Sequence, residues 1–141
     1  KKLSELSGGQ LQRVALAHSL SQECDLYLLD EPSAYLDVEQ RLSLSKIIRD
    51  MLSATGRSAL VVDHDLLFLD YISDEIMVFE GEPAKKGNVL GPFEMEEGMN
   101  TFLKDVQISF RRDEENYRPR ANKEGSQLDR EQKKKGKLYY T

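Results

Sequence analysis

Two carboxylates and one imidazole follow short apolar runs of the sequence. Asp30 and Glu31 come directly after the apolar residues 26–29, and His64 follows residues 59–62 with one aspartate between. One carboxylate can order the water around Mg²⁺ while its neighbour polarises an attacking water. These side chains therefore predict metal-assisted hydrolysis. The simpler alternative is that all three are polar caps on the ends of strands.

A glycine pair forms a second candidate site. Ser7, Gly8 and Gly9 precede a helical pattern, within the segment Leu6-Ser7-Gly8-Gly9-Gln10. Adjacent glycines leave backbone amides uncovered at a helix N-terminus, where free N–H groups and the helix dipole favour an anion. The segment predicts phosphate binding. In the alternative interpretation, Ser7 is only an N-cap and the glycines only form a loop.

A parallel α/β sheet would bring these side chains together. Strands that alternate with helices predict such a sheet, and its ligands lie beyond the carboxyl ends of the strands. Apolar runs without alternation suit strands covered on both faces. The predicted elements are a helix with Leu11, Val14, Ala15 and His18 on one face, a strand at 26–29, a helix at 38–52 with Leu44, Ile47, Ile48, Met51 and Leu52 inward and ended by Gly56, a strand at 59–62, a helix at 66–72 and a strand at 75–79.

The pattern changes at Gly81, so we divide the chain into residues 1–80 and an extension at 81–141 packed on the first part. Acidic residues outnumber basic ones before this point, whereas basic residues are in slight excess after it. Such a basic segment indicates either a polyanionic partner or a solvated face. The predicted elements are a loop to Pro92, a helix at 93–104, a strand at 106–110, a polar stretch at 111–125, a helix at 128–135 and a strand at 138–140.

Composition excludes several classes of protein. The 141 residues are 39% hydrophobic and 32% charged, and no run approaches the roughly 18 apolar residues of a membrane span. A single cysteine, Cys24, can form neither an intramolecular disulfide nor the ligand set of an iron–sulfur cluster, and two histidines argue against zinc. We expect a protein of the reducing environment of the cytoplasm that is not embedded in a membrane.

Several motifs in one order resemble the ATP-binding-cassette (ABC) ATPases. The signature LSGGQ at residues 6–10 is followed by Asp30 and Glu31 after an apolar strand, by Ser33-Ala34-Tyr35-Leu36-Asp37 and by His64. The resemblance implies a P-loop NTPase fold that uses ATP and Mg²⁺. It implies that Asp30 holds the metal, mostly through water, that Glu31 is the catalytic glutamate, and that His64 contacts the γ-phosphate.

The resemblance also implies a composite site shared with an opposing cassette. Signature residues of this family contact the nucleotide that the opposing cassette holds, and a D-loop aspartate links the two sites. The corresponding residues are Ser7, Gly8, Gly9, Gln10 and Asp37. These 141 residues contain no G-x-x-x-x-G-K-[ST] loop to hold the β- and γ-phosphates, so we expect the distal portion of an incomplete cassette, with little or no hydrolysis by the chain alone.

Residues beyond the shared motifs resemble one branch of the family, the subfamily E ribosome-recycling factors, or RNase L inhibitor family. Tyr35 stands where most transporters have the shorter T-S-A-L-D pattern, and Asp63 is a second departure from transporters. The resemblance extends to the end of the chain and indicates the second nucleotide-binding domain with its C-terminal hinge, nearest to the archaeal version. The further residues that carry it are Gly98, Met99, Asn100, Phe102, Leu103, 108–113, 116–120, Asn122 and Lys123.

This resemblance implies a specific set of partners. Two cassettes of one chain face each other, and their closure on ATP separates the ribosomal subunits. The implied partners are the opposing cassette, the ribosomal small subunit, ribosomal RNA, and a release factor or its surveillance relative. Two [4Fe–4S] clusters are expected in an N-terminal domain of the whole protein, outside these residues.

The hinge arginines have two interpretations. Guanidinium groups suit phosphate or carboxylate forks, and an aromatic ring among them can stack on a base. The group either contacts ribosomal RNA or pairs with Asp113, Glu114, Glu115 and carboxylates of the opposing cassette. Its members are Arg111, Arg112, Tyr117, Arg118 and Arg120.

Two other functions fit the shared motifs. The nucleotide-binding subunit of a membrane transporter would couple to transmembrane helices and has no need of an arginine-rich hinge. A DNA-repair ABC ATPase would have a coiled coil before the signature; only two residues precede Leu3 here, too few to contain a heptad, so this alternative stays open.

Overall fold

The chain consists of two compact units, Lys1–Ile72 and Ser73–Thr141. The computed structural model describes residues 2–82, 84–113 and 119–139. The division lies before the predicted boundary at residues 80 and 81. Strand β3 (Glu75–Glu82) causes the difference, because it pairs with a strand that follows it rather than with the sheet of the first unit.

The first unit is built around a parallel pair of strands, as predicted. Strand β1 (Leu26–Asp30) pairs with β2 (Ser58–Val62), with Leu26 opposite Ser58 and Asp30 opposite Val62. The parallel register places the carboxyl ends of both strands side by side. A short 3₁₀ turn and three helices complete the unit: Leu3–Glu5, α1 (Gly8–Leu20), α2 (Val38–Thr55) and α3 (Leu66–Ile72).

The core lies on one face of this pair. Tyr27 and Leu29 are buried, whereas Leu26 and Leu28 are 52% and 71% exposed. The expectation that both faces are covered is therefore wrong for this unit, whose described residues cover only one. The core residues are Leu16, Tyr27, Leu29, Leu36, Leu44, Ile48, Phe68 and Ile72.

The helices form where predicted, but their buried faces differ. In α1 the buried residue is Leu16, while the residues predicted on one face of the helix, Leu11, Val14, Ala15 and His18, are all exposed. In α2 Leu44 and Ile48 are buried as expected, and Ile47 is exposed. Helix α2 ends at Gly56, whose φ of 67° is a left-handed conformation that glycine adopts without steric cost.

The second unit begins with an antiparallel hairpin. Strand β3 pairs with β4 (Lys86–Glu94), so the predicted loop between Gly81 and Pro92 is wrong. Helix α4 (Met95–Asp105) packs on both strands, and a Cβ on Gly98 would lie 2.8 Å from the Cβ of Ile76. Glycine at this position therefore permits the close approach of α4 to β3.

The remaining elements are short. The predicted strand at 106–110 is wrong, because α4 continues to Asp105 and Gln107 has a φ of 56°, which no strand residue adopts. Strand β5 (Phe110–Arg112) pairs instead with β6 (Pro119–Ala121), and α5 (Gln127–Lys135) follows. None of the described helices has both the length and the apolar character needed to cross a membrane.

One asparagine fixes the last described residues to α4. The Oδ1 of Asn100 accepts hydrogen bonds from the backbone N–H of Leu138 at 2.7 Å and of Tyr139 at 3.1 Å. Tyr139 forms a single bridge to Phe110, so the predicted terminal strand is limited to one residue pair among the described residues. Tyr140 lies outside them.

Candidate ATPase half-site

Glu31 occupies a sharp corner directly after β1. Its φ of 46° is left-handed, and its N–H donates to the carbonyl of Val62 at 2.7 Å. A non-glycine residue in this conformation is strained and needs support from its surroundings. The corner lies directly after the end of β1 and beside the end of β2, where the Glu31 side chain is 58% exposed.

The Glu31 carboxylate lies next to the His64 imidazole. Glu31 Oε1 is 3.7 Å from His64 Nδ1, and the two side chains are 58% and 75% exposed. Sequence separates these residues widely, and the parallel pairing of β1 and β2 brings them together. The pair is open to solvent and accessible to a ligand.

Two side chains support the backbone around this corner. Gln12 of α1 donates from Nε2 to the carbonyls of Glu31 at 3.2 Å and Pro32 at 3.3 Å. Asp63 accepts hydrogen bonds from Ser33 on the other side. Sequence reasoning did not identify Gln12 or Ser33 as site residues, and it noted Asp63 only for its position directly before His64 and as a departure from the transporter pattern.

The carboxylates of this edge suit a hard cation. Mg²⁺ is commonly held by one or two carboxylates together with water and substrate phosphates. Asp30 and Glu31 supply such oxygen donors at adjacent positions, so the donor chemistry fits Mg²⁺. Among residues 2–82, 84–113 and 119–139, no group of three or more His, Cys, Asp or Glu side chains forms a metal cage.

The signature segment begins α1 through a capping box. Ser7 Oγ accepts from the N–H of Gln10 at 3.4 Å, and the Ser7 N–H donates to Gln10 Oε1 at 3.1 Å. Ser7 is therefore the N-cap of α1, as the alternative interpretation expected. This capping role does not test the prediction that the segment binds phosphate. A capping box satisfies helix N–H groups through side chains.

Gly8 and Gly9 lie against residues 33–37, the segment before α2 that we call the D-loop. A Cβ on Gly9 would lie 2.8 Å from the carbonyl oxygen of Tyr35, and a Cβ on Gly8 would lie 3.3 Å from the Tyr35 ring. Tyr35 itself has a φ of 60° and is 79% exposed. The glycine pair is therefore needed for close packing of the signature segment against the loop that leads to α2.

Asp37 has a structural role in the same loop. Its carboxylate caps α2, since Oδ1 accepts from the Gln40 N–H at 2.8 Å and Oδ2 accepts from Gln40 Nε2 at 2.7 Å. An N-cap aspartate contributes about 1 kcal/mol to helix stability. The family role of Asp37 toward the opposing cassette stays a prediction.

The second unit contains the described hinge arginines. Arg120 Nε lies 2.8 Å from Asp113 Oδ2, which is the carboxylate pairing weighed above. Arg111 Nη1 donates to Asn122 Oδ1 at 2.9 Å, and Arg112 lies opposite Pro119 in the β5–β6 pair. The remaining candidates, Tyr117 and Arg118, lie outside the described residues, as do Glu114 and Glu115.

A buried polar network anchors Arg111. Asn122 Nδ2 donates to Ser109 Oγ at 2.9 Å and to Gln132, and Ser109 Oγ donates to Asp129 Oδ1 at 2.6 Å. These buried side chains satisfy one another, as buried polar groups usually do. The Ser109 hydroxyl, assisted by the Gly125 amide and the Lys133 ammonium, lowers the pKa of Asp129 to about 2 against the opposing effect of desolvation.

We expect Asp129→Asn to flatten the acid side of the stability profile. The pKa of Asp129 is about 2 in the folded chain and 3.8 ordinarily, so the unfolded chain binds more protons between these values. Stability from this carboxylate is complete above pH 4 and is lost as the pH falls toward 2. Urea unfolding at several pH values should show the wild-type advantage shrinking over this range. Asp50→Asn makes the same chemical change at an exposed residue of α2, and a pH-dependent loss as large as that of Asp129→Asn would contradict the assignment.

Comparisons with known proteins agree with the motif pattern. The family model described as ABC transporter matches residues 1–34. An uncharacterised ABC transporter ATP-binding protein of Methanocaldococcus jannaschii is 59% identical over 99% of this chain. The translation initiation factor RLI1 of Saccharomyces cerevisiae is 44% identical over the same share. This chain spans 23% of the length of each of these relatives.

Solved structures extend this likeness to the fold. The complex titled as archaeal ribosomal stalk protein aP1 with archaeal ribosome recycling factor aABCE1 matches with a TM-score of 0.89 and 60% identity, over 100% of this chain and 27% of that one. A model of ribosome-bound archaeal Pelota and ABCE1 matches with a TM-score of 0.95 and 57% identity, over 100% of this chain and 24% of that one. The chain belongs to subfamily E of the ABC ATPases.

Subfamily E membership confirms the predicted P-loop NTPase fold of the ABC type. The higher identity to the archaeal relative than to the yeast protein agrees with the archaeal resemblance read from the sequence. The archaeal and the yeast relatives both match the second unit as well, which lies beyond residues 1–34 matched by the general family model.

Proposed function

We propose that this chain is the part of an ATP-hydrolysing ribosome-recycling factor that carries the catalytic glutamate and the switch histidine. The observation that supports it best is the Glu31 carboxylate lying 3.7 Å from the His64 imidazole at the carboxyl ends of parallel strands. Relatives that match 99% or more of this chain are named as a translation initiation factor and a ribosome recycling factor.

The chemistry assigns a task to each side chain at the strand ends. Glu31 accepts a hydrogen bond from the attacking water and orients it toward the γ-phosphate, as a positioned general base does. His64 donates a hydrogen bond to a γ-phosphate oxygen. Asp30 would hold Mg²⁺ through water, and the ion would supply charge neutralisation at the phosphates.

The N-terminus of α1 serves the second composite site. Ser7, Gly8, Gly9 and Gln10 present the N-terminus of α1, whose dipole favours the γ-phosphate of a nucleotide held by the opposing cassette. Because Gly9 packs tightly on the Tyr35 carbonyl, the signature segment and the D-loop move together. Asp37 at the end of this loop connects the two composite sites.

Subfamily E relatives indicate the partners. One solved relative is described with Pelota on the ribosome and another with a ribosomal stalk protein, so we assign the small subunit, ribosomal RNA and a release factor or its relative as partners in the cytoplasm. Arg111, Arg112, Tyr117, Arg118 and Arg120 remain candidates for contact with RNA. The [4Fe–4S] clusters are assigned to the rest of the whole protein.

Ribosome splitting by the whole protein tests this function. We expect the full-length protein with ATP and the release-factor relative to convert intact ribosomes into separate subunits on a sucrose gradient. The 141-residue chain alone should neither split ribosomes nor hydrolyse ATP above background, because it contains no phosphate-binding loop of the Walker A type. Splitting without ATP, or turnover by the chain alone, would contradict the proposal.

A further inference from the structure

One carboxylate ties the segment after β1 to the segment after β2. Asp63 Oδ2 accepts from the Ser33 N–H at 3.1 Å, and Asp63 Oδ1 accepts from Ser33 Oγ at 2.9 Å. The same Oδ1 accepts from the Asp65 N–H at 2.9 Å. Asp63 therefore closes three hydrogen bonds, and we call its two bonds to Ser33 the Asp63–Ser33 clamp.

The clamp satisfies donors that have no access to water. Ser33 is 1% exposed, and Pro32 before it is also fully buried. A buried donor left without an acceptor is costly, so the Ser33 segment depends on Asp63 for its position. Gln12 fixes the carbonyls of Glu31 and Pro32 from α1, and the two supports together hold the strained corner at Glu31.

We propose that Asp63 is a positioning residue which, through Ser33, holds the Glu31 carboxylate beside the His64 imidazole. The inference rests on the proposed function, since it assigns Asp63 a part in the reaction of Glu31. Asp63 immediately precedes His64, and Ser33 follows Glu31 by two residues, so the clamp fixes both partners of the pair at once.

A carboxylate suits this task better than an amide. Both oxygens of Asp63 accept hydrogen bonds, and they face two donors of Ser33 and one of Asp65. An asparagine would present one acceptor and one NH₂ group, and the NH₂ group would face the Ser33 N–H in one orientation or the Asp65 N–H in the other. Asp63→Asn is therefore expected to disrupt the hydrogen bonds around the clamp in either orientation while keeping the size of the side chain.

Positioning predicts a separation of turnover from binding. Asp63 is directed at Ser33 rather than at nucleotide, so its loss should leave affinity for ATP unchanged. Displacing a reacting group by about 1 Å costs on the order of 10²-fold in rate. In the full-length protein we expect Asp63→Asn to lower kcat about 10²-fold and Ser33→Ala about 10-fold, both with an unchanged KM and an unchanged Kd for a non-hydrolysable ATP analogue.

Ser45→Ala is the matched control. Ser45 is 2% exposed, and its Oγ donates to the Leu42 carbonyl at 2.9 Å within α2, away from the strand ends. Each variant removes one buried hydroxyl, so both Ser33→Ala and Ser45→Ala should lower the temperature of thermal unfolding. Only Ser33→Ala should lower kcat.

The outcomes separate the clamp from the function on which it rests. If Glu31→Gln abolishes turnover while Ser33→Ala and Asp63→Asn keep wild-type kcat, the clamp is refuted and the proposed function stands. Equal losses of kcat in Ser33→Ala and Ser45→Ala would also refute it, because they would reflect general destabilisation. If Glu31→Gln itself turns over normally, the proposed function and the clamp are both refuted.

Discussion

Glu31→Gln in the full-length protein should lower the rate of ATP hydrolysis by about 10²–10⁴-fold, the usual loss for an oriented general base. Glutamine keeps the size of the side chain and its place beside the His64 imidazole, whose Nδ1 lies 3.7 Å from Oε1 in the wild type. It loses the charge that orients the attacking water. Binding is kept while hydrolysis is slowed, so the ATP-bound closed form should accumulate on the ribosomal small subunit.

Two measurements check this expectation. Single-turnover hydrolysis with labelled ATP gives the rate, and co-sedimentation with small subunits gives the trapped fraction. Glu39→Gln is the control, since it makes the same chemical change at an exposed residue in the first turn of α2. A Glu31→Gln protein that hydrolyses ATP at the wild-type rate, or that shows no greater retention on small subunits, would refute the assigned role of Glu31.

Gly9→Asp should abolish closure of the cassettes and subunit splitting while leaving nucleotide binding in the open state near normal. The new carboxylate would face the γ-phosphate, and its Cβ would collide with the Tyr35 carbonyl at 2.8 Å. A few charge-assisted hydrogen bonds of about 1.5–3 kcal/mol each are enough to approach the ~5.5 kcal/mol that shifts a two-state population from 1:99 to 99:1. Losing them should therefore return the population to the open state.

An inter-cassette distance probe with ATP analogues measures this effect. Gly87→Asp introduces the same side chain in β4, where the nearest atom to a new Cβ lies at 4.0 Å, and it should close normally. Gly9→Ala separates the two causes, because it adds the collision with the Tyr35 carbonyl without the charge. Full closure of the Gly9→Asp protein would refute the coupling between the signature segment and the γ-phosphate.

The candidate site was largely predictable because its residues end elements with strong local signals. Asp30, Glu31 and His64 follow apolar runs, and parallel pairing of those runs is enough to bring the last two together. Gln12 and the Asp63–Ser33 clamp were not predictable, since hydrogen bonds between a side chain and a distant backbone leave no periodic pattern. Ser33 in particular is a small polar residue with no sequence signal that marks it as buried.

The fold was predictable to Ile72 and less so beyond. Local apolar runs predicted β1 and β2. The face of β1 that carries Leu26 and Leu28 was expected to be buried because both residues are apolar, yet both are exposed. Strand β4 was missed because Gly87, Gly91 and Pro92 are ordinary loop residues, and here they belong to an antiparallel partner of β3. Residues 98–100 carry part of the family resemblance, yet two of them have structural roles. Gly98 allows α4 to pack closely on β3, and Asn100 accepts hydrogen bonds from the last described residues.

The two strand pairs also differ in the entropy that must be lost before they form. Glu82 lies opposite Lys86 in the hairpin, whereas β1 and β2 can pair only after residues 31–57 have been looped out between them. The entropy of closing that loop must be lost before the β1–β2 contacts can form, so such non-local pairing is slower than local pairing. The β3–β4 hairpin therefore has a kinetic advantage over the strand pair that positions Glu31, even though the ribosome synthesises it later.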